Sequence, residues 1–305
     1  MAINRASIAK QLVPGLNAIF GMEYGEVADE LTPLFETENS DRAFEEEVLF
    51  TGFGSAPVKY EGAAVTYDNA QESYTARYTA ETIALAFSVT EEAMEDNLYD
   101  TFSKLRARGL ARAMGNTKQV KGADVFNNSF NSSYAGGDGV ELCSASHPIV
   151  GGGTQSNLIG SGGTVDLSEA ALEAGLVSVQ TCKDDRNILI GSNAVSLHIA
   201  PGEQFAADRI LNSPYRPGTA DNDINAVNHQ GLVPNGYFVN KRFSDADRWF
   251  LKTDVPNGAK HFVRAPLSTK MEPDFDTGNL RYKARERYSF GWSDWRGYFG
   301  STGAG

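Results

Sequence analysis

Cys143 and His147 stand four residues apart, a spacing that would suit a thiol nucleophile with its general base, or two ligands of a metal ion. A closed zinc site needs about four ligands, and the other histidines, His198, His229 and His261, have no clustered Cys or His beside them. The simpler reading of His147 is a loop histidine ahead of Pro148. Gly151-Gly152-Gly153-Thr154 is rich in glycine but lacks the Lys-Ser/Thr ending of a phosphate-binding loop and the spacing of a dinucleotide fingerprint, so it reads as a flexible turn. Neither a Gly-x-Ser-x-Gly elbow nor a zinc-protease pattern occurs. The acid pairs Asp184-Asp185 and Asp245/Asp247 read as solvated loop residues. These residues converge on no catalytic pattern, and neither metal nor cofactor is expected.

Charge is patterned more strongly than chemistry. Residues 23–47 hold ten carboxylates, Glu23 through the run Glu45-Glu46-Glu47, against Arg42 alone. Residues 101–123 reverse this, with Lys104, Arg106, Arg108, Arg112, Lys118 and Lys121 and no acid. Lys104, Arg108 and Arg112 recur every four residues and form a basic ridge on a helix. Such a ridge either compensates the helix dipole and surface ion pairs, or meets an acidic segment or a polyanion. The ten carboxylates of residues 23–47, the run Glu45-Glu46-Glu47 among them, are its expected partners, in the same subunit or a neighbour. A net charge of −12 argues against a tight nucleic-acid binder, which carries a dominant basic field. Trp292 and Trp295, with Tyr298 and Phe299, fit either an ordinary core or an anchor between subunits.

Around these residues the elements fall into two groups, an α+β pattern. Residues 1–47 read as an arm, weakly apolar from Ser7 to Phe20 and interrupted by Pro14-Gly15. Residues 48–89 read as strands and an extended loop, with Tyr74, Ala76 and Tyr78, then Ile83, Leu85, Phe87 and Val89, alternating with polar residues. The Lys59 to Tyr78 stretch has few large aliphatic residues, and a two-stranded ribbon of that kind is marginal alone. A long helix follows within 90–135. Ser88 and Glu91 form a capping box with Thr90 as a competing cap, and Met94, Leu98, Phe102 and Leu105 share one face. Gly109, Gly115 and Gly122 weigh against an unbroken helix.

A second unit spans about 136–250, after the glycine-broken stretch 127–163. Asp166-Leu167-Ser168-Glu169 opens a helix with Leu172, Leu176 and Val179 inward. Ile188-Leu189-Ile190 and the alternating Val195, Leu197 and Ile199 read as strands, and a short helix runs near Glu203 to Leu211. Further strands are expected at Tyr237–Val239, Trp249–Thr253, His261–Arg264 and Leu280–Tyr288, so that 251–305 returns to the first unit and ends in a tail. The 305 residues contain 41% hydrophobic residues and 31 glycines, a balance that suits long loops gaining contacts from neighbouring subunits. Two cysteines make no disulfide framework and suit a reducing compartment. Neither a membrane span nor a secretory signal is recognisable.

The order of arm, β-ribbon, strut helix, mixed α/β unit and returning strand resembles the Hong Kong 97-type capsid fold of tailed bacteriophages. Phe53-Gly54 to Tyr60-Glu61-Gly62 and Val65-Thr66-Tyr67-Asp68 resemble the extended loop of Mu-like major head subunits. So do Ser146-His147-Pro148-Ile149, Gly152-Gly153-Thr154-Gln155-Ser156-Asn157 and Asp294-Trp295-Arg296-Gly297. The resemblance implies a major capsid protein that catalyses nothing, with peripheral and axial domains and a loop laid across the next subunit. Its implied partners are copies of itself in hexamers and pentamers, a separate scaffolding protein, a portal, a decoration protein, and packaged DNA by non-specific proximity, in a virion assembled in the host cytoplasm. Some relatives carry a long N-terminal scaffolding segment that is cleaved off; beside the short arm here, a separate scaffolding protein is the expectation. Expected inter-subunit contacts are Lys59, Tyr60, Tyr67 and Tyr74 on the ribbon, and Glu45, Glu46, Glu47, Lys104, Arg108 and Arg112 on the charged segments. Some relatives link a loop lysine to a neighbour's asparagine; Lys59 sits in the right ribbon, but neither the asparagine nor a catalytic glutamate can be placed, so no cross-link is expected. The alternatives are an encapsulin-like compartment of the same fold and, in another class, a cytoplasmic hydrolase using Cys143 and His147.

Overall fold

The computed structural model describes residues 5–90, 99–216, 223–274 and 277–303. The first helix, α1 (Arg5–Glu26), runs through Pro14-Gly15 without ending there. Leu16 and Phe20, four apart and so on one face, are buried against the second long helix. Residues 16–35 are therefore not the core-free arm expected from their acidity. Leu31, Leu34 and Phe35, just past α1, enter the main core as well. Tertiary burial rather than local propensity holds this segment.

Strands β1 (Glu36–Asn39), β2 (Phe44–Phe50), β3 (Glu72–Thr79) and β4 (Glu81–Val89) follow. β2 pairs antiparallel with β3, and between them residues 51–71 form a long loop with no strand of its own. The expected ribbon from Lys59 to Tyr78 is thus paired only at its base. The second long helix, α2 (Tyr99–Asn127), spans about 44 Å at 1.5 Å per residue. Glu91, Met94 and Leu98 lie outside the described residues. Leu105 points to solvent, and the inward face is Ala107, Leu110, Ala111, Met114, Ala123 and Phe126.

That face explains two of the three glycines. Val27 and Leu31 cross α2 so closely that a Cβ on Gly115 would sit 2.8 Å from Val27 Cγ2, and one on Gly122 would sit 2.5 Å from Leu31 Cδ2. Seven residues apart, they form a shallow groove for the chain leaving α1. Gly109 faces open space.

Beyond α2 lie the short strands β5 (His147–Pro148) and β6 (Thr154–Gln155), then helix α3 (Glu169–Gln180). Ser168, rather than Asp166, is the cap of α3 and accepts a hydrogen bond from the amide of Ala171. β7 (Ala194–Ile199), α4 (Gln204–Asn212), α5 (Ala226–Gln230), β8 (Tyr237–Val239), β9 (Trp249–Thr253), β10 (Ala259–Pro273), β11 (Leu280–Trp292) and β12 (Tyr298–Ser301) complete the order. Ile188–Ile190 is not a strand; Lys183 and Leu189 make one isolated bridge that closes a turn. Asp184 Oδ1 accepts the amides of Arg186 and Ile188, which fixes that turn in place of a strand.

Two four-stranded sheets result. One has the order β1-β10-β11-β4, and the α1–α2 pair packs on its β11 through Tyr282 and Ala284. The other has the order β12-β9-β7-β8 and carries the main core. The long β10–β11 hairpin lies in the first sheet, but the chain then crosses back. β12 pairs with β9, so residues 298–301 complete the second sheet rather than forming a tail. Among the described residues, no helix is long and apolar enough to cross a membrane.

Alanine substitution separates the roles of these glycines. Gly109→Ala should stabilise the subunit by about 0.5–1 kcal/mol through helix propensity. Gly122→Ala should lose that gain to overpacking against buried Leu31 and destabilise by about 1–2 kcal/mol. Urea unfolding followed by circular dichroism measures both; equal effects would contradict the groove.

Candidate assembly interface

Three of the five sequence segments that carry the family resemblance, 146–149, 152–157 and 294–297, meet in one buried clasp. β5 and β6 pair, with Gly152 and Gly153 at positive φ in the turn between them, which brings His147 and Asn157 together. The His147 ring stacks on Trp295, with centroids 4.4 Å apart and planes 7° from parallel. Asp138 Oδ2 lies 2.6 Å from Nδ1 of His147, and Asn157 Oδ1 lies 3.1 Å from its Nε2. Asn157 is 0% exposed. Its Oδ1 also accepts the Ser144 amide at 2.9 Å. Its Nδ2 donates to the carbonyls of Leu142 at 2.7 Å, Tyr298 at 2.9 Å and Trp295 at 3.3 Å.

One step along the chain, Arg296 is buried between Asp185 at 2.7 Å and Asp294 at 3.3 Å. It also donates to the Lys183 carbonyl at 3.0 Å, and its guanidinium lies 4.5 Å from the Trp295 ring centroid. Asp185, read from sequence as a solvated loop acid, is therefore an interior ion-pair partner. Burial raises the carboxyl pKa of Asp294, against the lowering effect of Arg296. Trp292 and Trp295 are core residues.

This arrangement leaves nothing for Cys143 and His147 to do as a catalytic pair. Both ring nitrogens of His147 are engaged inside the chain, and burial pushes the Cys143 thiol far above its ordinary pKa, opposite to what a nucleophile needs. Among the described residues, no cluster of His, Cys, Asp and Glu could hold a metal ion. The Gly151–Thr154 segment is the β5–β6 turn, tied by the Gly151 amide to the Asp185 carbonyl at 3.2 Å.

The exposed surface has a different character. The loop 51–71 presents Phe53, Val58, Tyr60, Val65 and Tyr67 to solvent, with Tyr67 93% and Tyr60 75% exposed, and Lys59 is exposed beside them. So many exposed large apolar residues on one loop make it a candidate interaction surface. Tyr74, expected among them, instead packs against the main core of its own chain. A second set, Phe205, Tyr215 and Ile224, is exposed around α4 and the following loop, and the sequence did not single these residues out.

The basic ridge meets the acidic segment within the chain, through the first carboxylate of that segment: Arg108 and Arg112 both reach Glu23 of α1 at 3.1 Å. Lys104 is exposed on the same helix. Glu45, Glu46 and Glu47 lie elsewhere, on β2, where alternation sends them to opposite faces. Glu46 lies 3.8 Å from Arg77 on β3. Glu45 accepts from Ser40 at 2.7 Å, and Glu47 holds Lys260 and Ser293. The strand, not the helix, decides the partners of this acid run.

Two tests follow from the interior. Asn157→Asp would turn a carboxylate oxygen toward three carbonyls and should destabilise the subunit by about 3 kcal/mol or more, read as insoluble expression or a large fall in the urea midpoint. Burial also pushes the His198 pKa down to about 3 and that of His261 down to about 4. The unfolded chain then takes up protons that the folded chain refuses, so this contribution to stability is whole above about pH 6.5 and is lost as pH falls toward the folded values. Glu286, whose pKa burial raises, opposes the trend. The informative measurement is therefore the difference between the wild type and His198→Gln, unfolded at pH 7 and at pH 4.5. The variant should lose less stability on acidification, and an equal loss would contradict the assignment.

Comparison with known proteins accords with this geometry. The family model described as "Phage capsid protein" matches residues 73–299. No curated protein matches the sequence. Among solved structures, the procapsid of bacteriophage JBD30 is similar at TM-score 0.55 and 13% identity, over 98% of this chain and 76% of that one. The capsid of an empty GTA particle gives TM-score 0.55 at 15% identity, over 89% and 88%. The virus-like particle from Pyrococcus furiosus gives 0.52 at 10%, over 94% and 98%. These likenesses establish the shared α+β, Hong Kong 97-type fold. The family match runs from β3 through α2 to the clasp and into β12, and on it the chain belongs to the phage capsid protein family, as a structural shell subunit.

Proposed function

We propose that this chain is the major head protein of a tailed bacteriophage, closing as pentamers and hexamers into an icosahedral shell around double-stranded DNA. The observation that carries the reading is the contrast between a body closed by its own buried clasp and a loop whose apolar side chains stand in solvent. A monomer gains nothing from exposing Phe53, Tyr60 and Tyr67; a lattice of copies can bury them. The loop would lie across an adjacent subunit, and Phe205, Tyr215 and Ile224 supply a second apolar surface for contacts within a capsomer. A separate scaffolding protein, a portal and a decoration protein are the partners this role calls for, with assembly in the host cytoplasm. The role calls for no catalysis and no cofactor. An encapsulin-like compartment would share the fold but hold protein cargo instead of DNA.

Replacing residues 55–67 by a short glycine linker should leave a folded, soluble subunit and abolish shells. Sedimentation and negative-stain microscopy of the two proteins decide the matter. A wild type that stays monomeric at capsid-like concentration, even with its scaffolding partner, would refute the reading. Mature particles should also run as one band near 33.0 kDa in denaturing electrophoresis, and a ladder of multiples would show a cross-link through Lys59 or another residue.

A further inference from the structure

The loop 51–71 is tied at its base and free at its tip. The Thr51 amide donates to the Gln71 carbonyl at 2.9 Å, and the Gln71 amide donates to Thr51 Oγ1 at 3.0 Å. Three residues farther out, the Gly54 amide donates to Asp68 Oδ2 at 2.7 Å. Between Gly54 and Asp68 lie the exposed residues 55–67. Asp68 is therefore the last point at which the two limbs of the loop are held together.

Asp68 is also held from outside the loop. Nη2 of Arg186 lies 2.7 Å from its Oδ1 and 2.8 Å from its Oδ2. The Gly54 amide, and then Arg186, lower the pKa of Asp68, so it stays ionised in the pair. Arg186 projects from the 183–189 turn, whose three central residues each hold something different. Asp184 Oδ1 closes the turn by accepting the amides of Arg186 and Ile188. Asp185 reaches inward to Arg296 of the clasp at 2.7 Å. Arg186 reaches outward to the loop. The turn thus joins the buried polar network of the clasp to the exposed loop.

We propose that Asp68 and Arg186 form an intrachain latch that seats the loop base on the 183–189 turn, so that the loop's direction is set before assembly and only residues 55–67 are offered to a second copy. This inference rests on the shell reading above. An exposed ion pair contributes little to global stability, so fold maintenance is not its main effect. Its effect is on order. A loop that meets its neighbour already aimed loses less conformational freedom on binding than one that must be ordered at contact. Because the pair is partly solvent-exposed, salt also weakens it.

The test compares Arg186→Ala, Asp68→Asn and the double variant, with Asp68→Asn keeping an acceptor for the Gly54 amide. Hydrogen exchange on unassembled subunits should show the amides of Thr51, Gly54 and Gln71 exchanging about tenfold faster in each single variant, and no faster in the double. The melting temperature should stay within error of the wild type, and the rate of shell formation, followed by light scattering, should fall in all three. Unchanged exchange at the loop base overturns the proposal, as does a double variant whose effect is the sum of the singles. A loosened base with an unchanged assembly rate overturns the positioning role. Should the wild type form no shells at all, the shell reading fails, while the exchange comparison still decides whether the pair holds the loop base.

Discussion

Asn157 is a fully buried amide whose every hydrogen-bonding direction is used by its own chain. Its oxygen takes the Ser144 amide and the His147 ring, and its nitrogen serves the carbonyls of Leu142, Trp295 and Tyr298. A buried amide left without partners is costly, so the site holds only when residues 142–157 and 295–298 arrive in one register. That requirement fastens the C-terminal strand β12 to the middle of the chain and orients Trp295 against His147. It also places Arg296 where Asp185 and Asp294 can neutralise it. Partly satisfied networks of this kind are worse than none, which makes the clasp a device for specificity more than for stability.

The consequence reaches the surface through the 183–189 turn. Asp185 is fixed by the clasp, and Arg186, next in sequence, meets Asp68 at the loop base. The rigid interior and the exposed loop are therefore two ends of one connected path. A shell subunit needs both properties. Its body must fold without neighbours, and its contact segments must keep apolar surface unburied until neighbours arrive. The α1–α2 pair, packed over Gly115 and Gly122 and joined by Glu23 to Arg108 and Arg112, does the equivalent work for the first sheet.

Much of this was legible in the sequence where periodicity and burial coincide. Leu172, Leu176 and Val179 marked α3, and Leu197 and Ile199 marked β7, because these apolar residues recur at the period of their element and lie in the core. Part of the family resemblance lay in the clasp segments, whose residues are fixed by mutual contact, and part in the exposed loop and the order of elements. Local pattern failed where distant contacts override it. Pro14-Gly15 suggested a break, yet Leu16 and Phe20 anchor the helix beyond it. Ile188-Leu189-Ile190 has strand composition, but Asp184 captures the amides around it into a turn. Asp185 looked solvated because nothing local announces an arginine 111 residues away. The carboxylates of residues 23–47 were assigned to the basic ridge as a group by charge; Glu23 does meet Arg108 and Arg112, whereas strand pairing sends Glu46 to Arg77 and Glu47 to Lys260.

A cryo-electron microscopy reconstruction of assembled particles tests the central claim most directly, because it resolves which contacts lie within a subunit and which lie between subunits. The account predicts that Asn157 bonds the Trp295 and Tyr298 carbonyls of its own chain, while residues 55–67 lie on an adjacent copy. A loop folded back onto its own body, or a β12 strand donated by a neighbour, would contradict it.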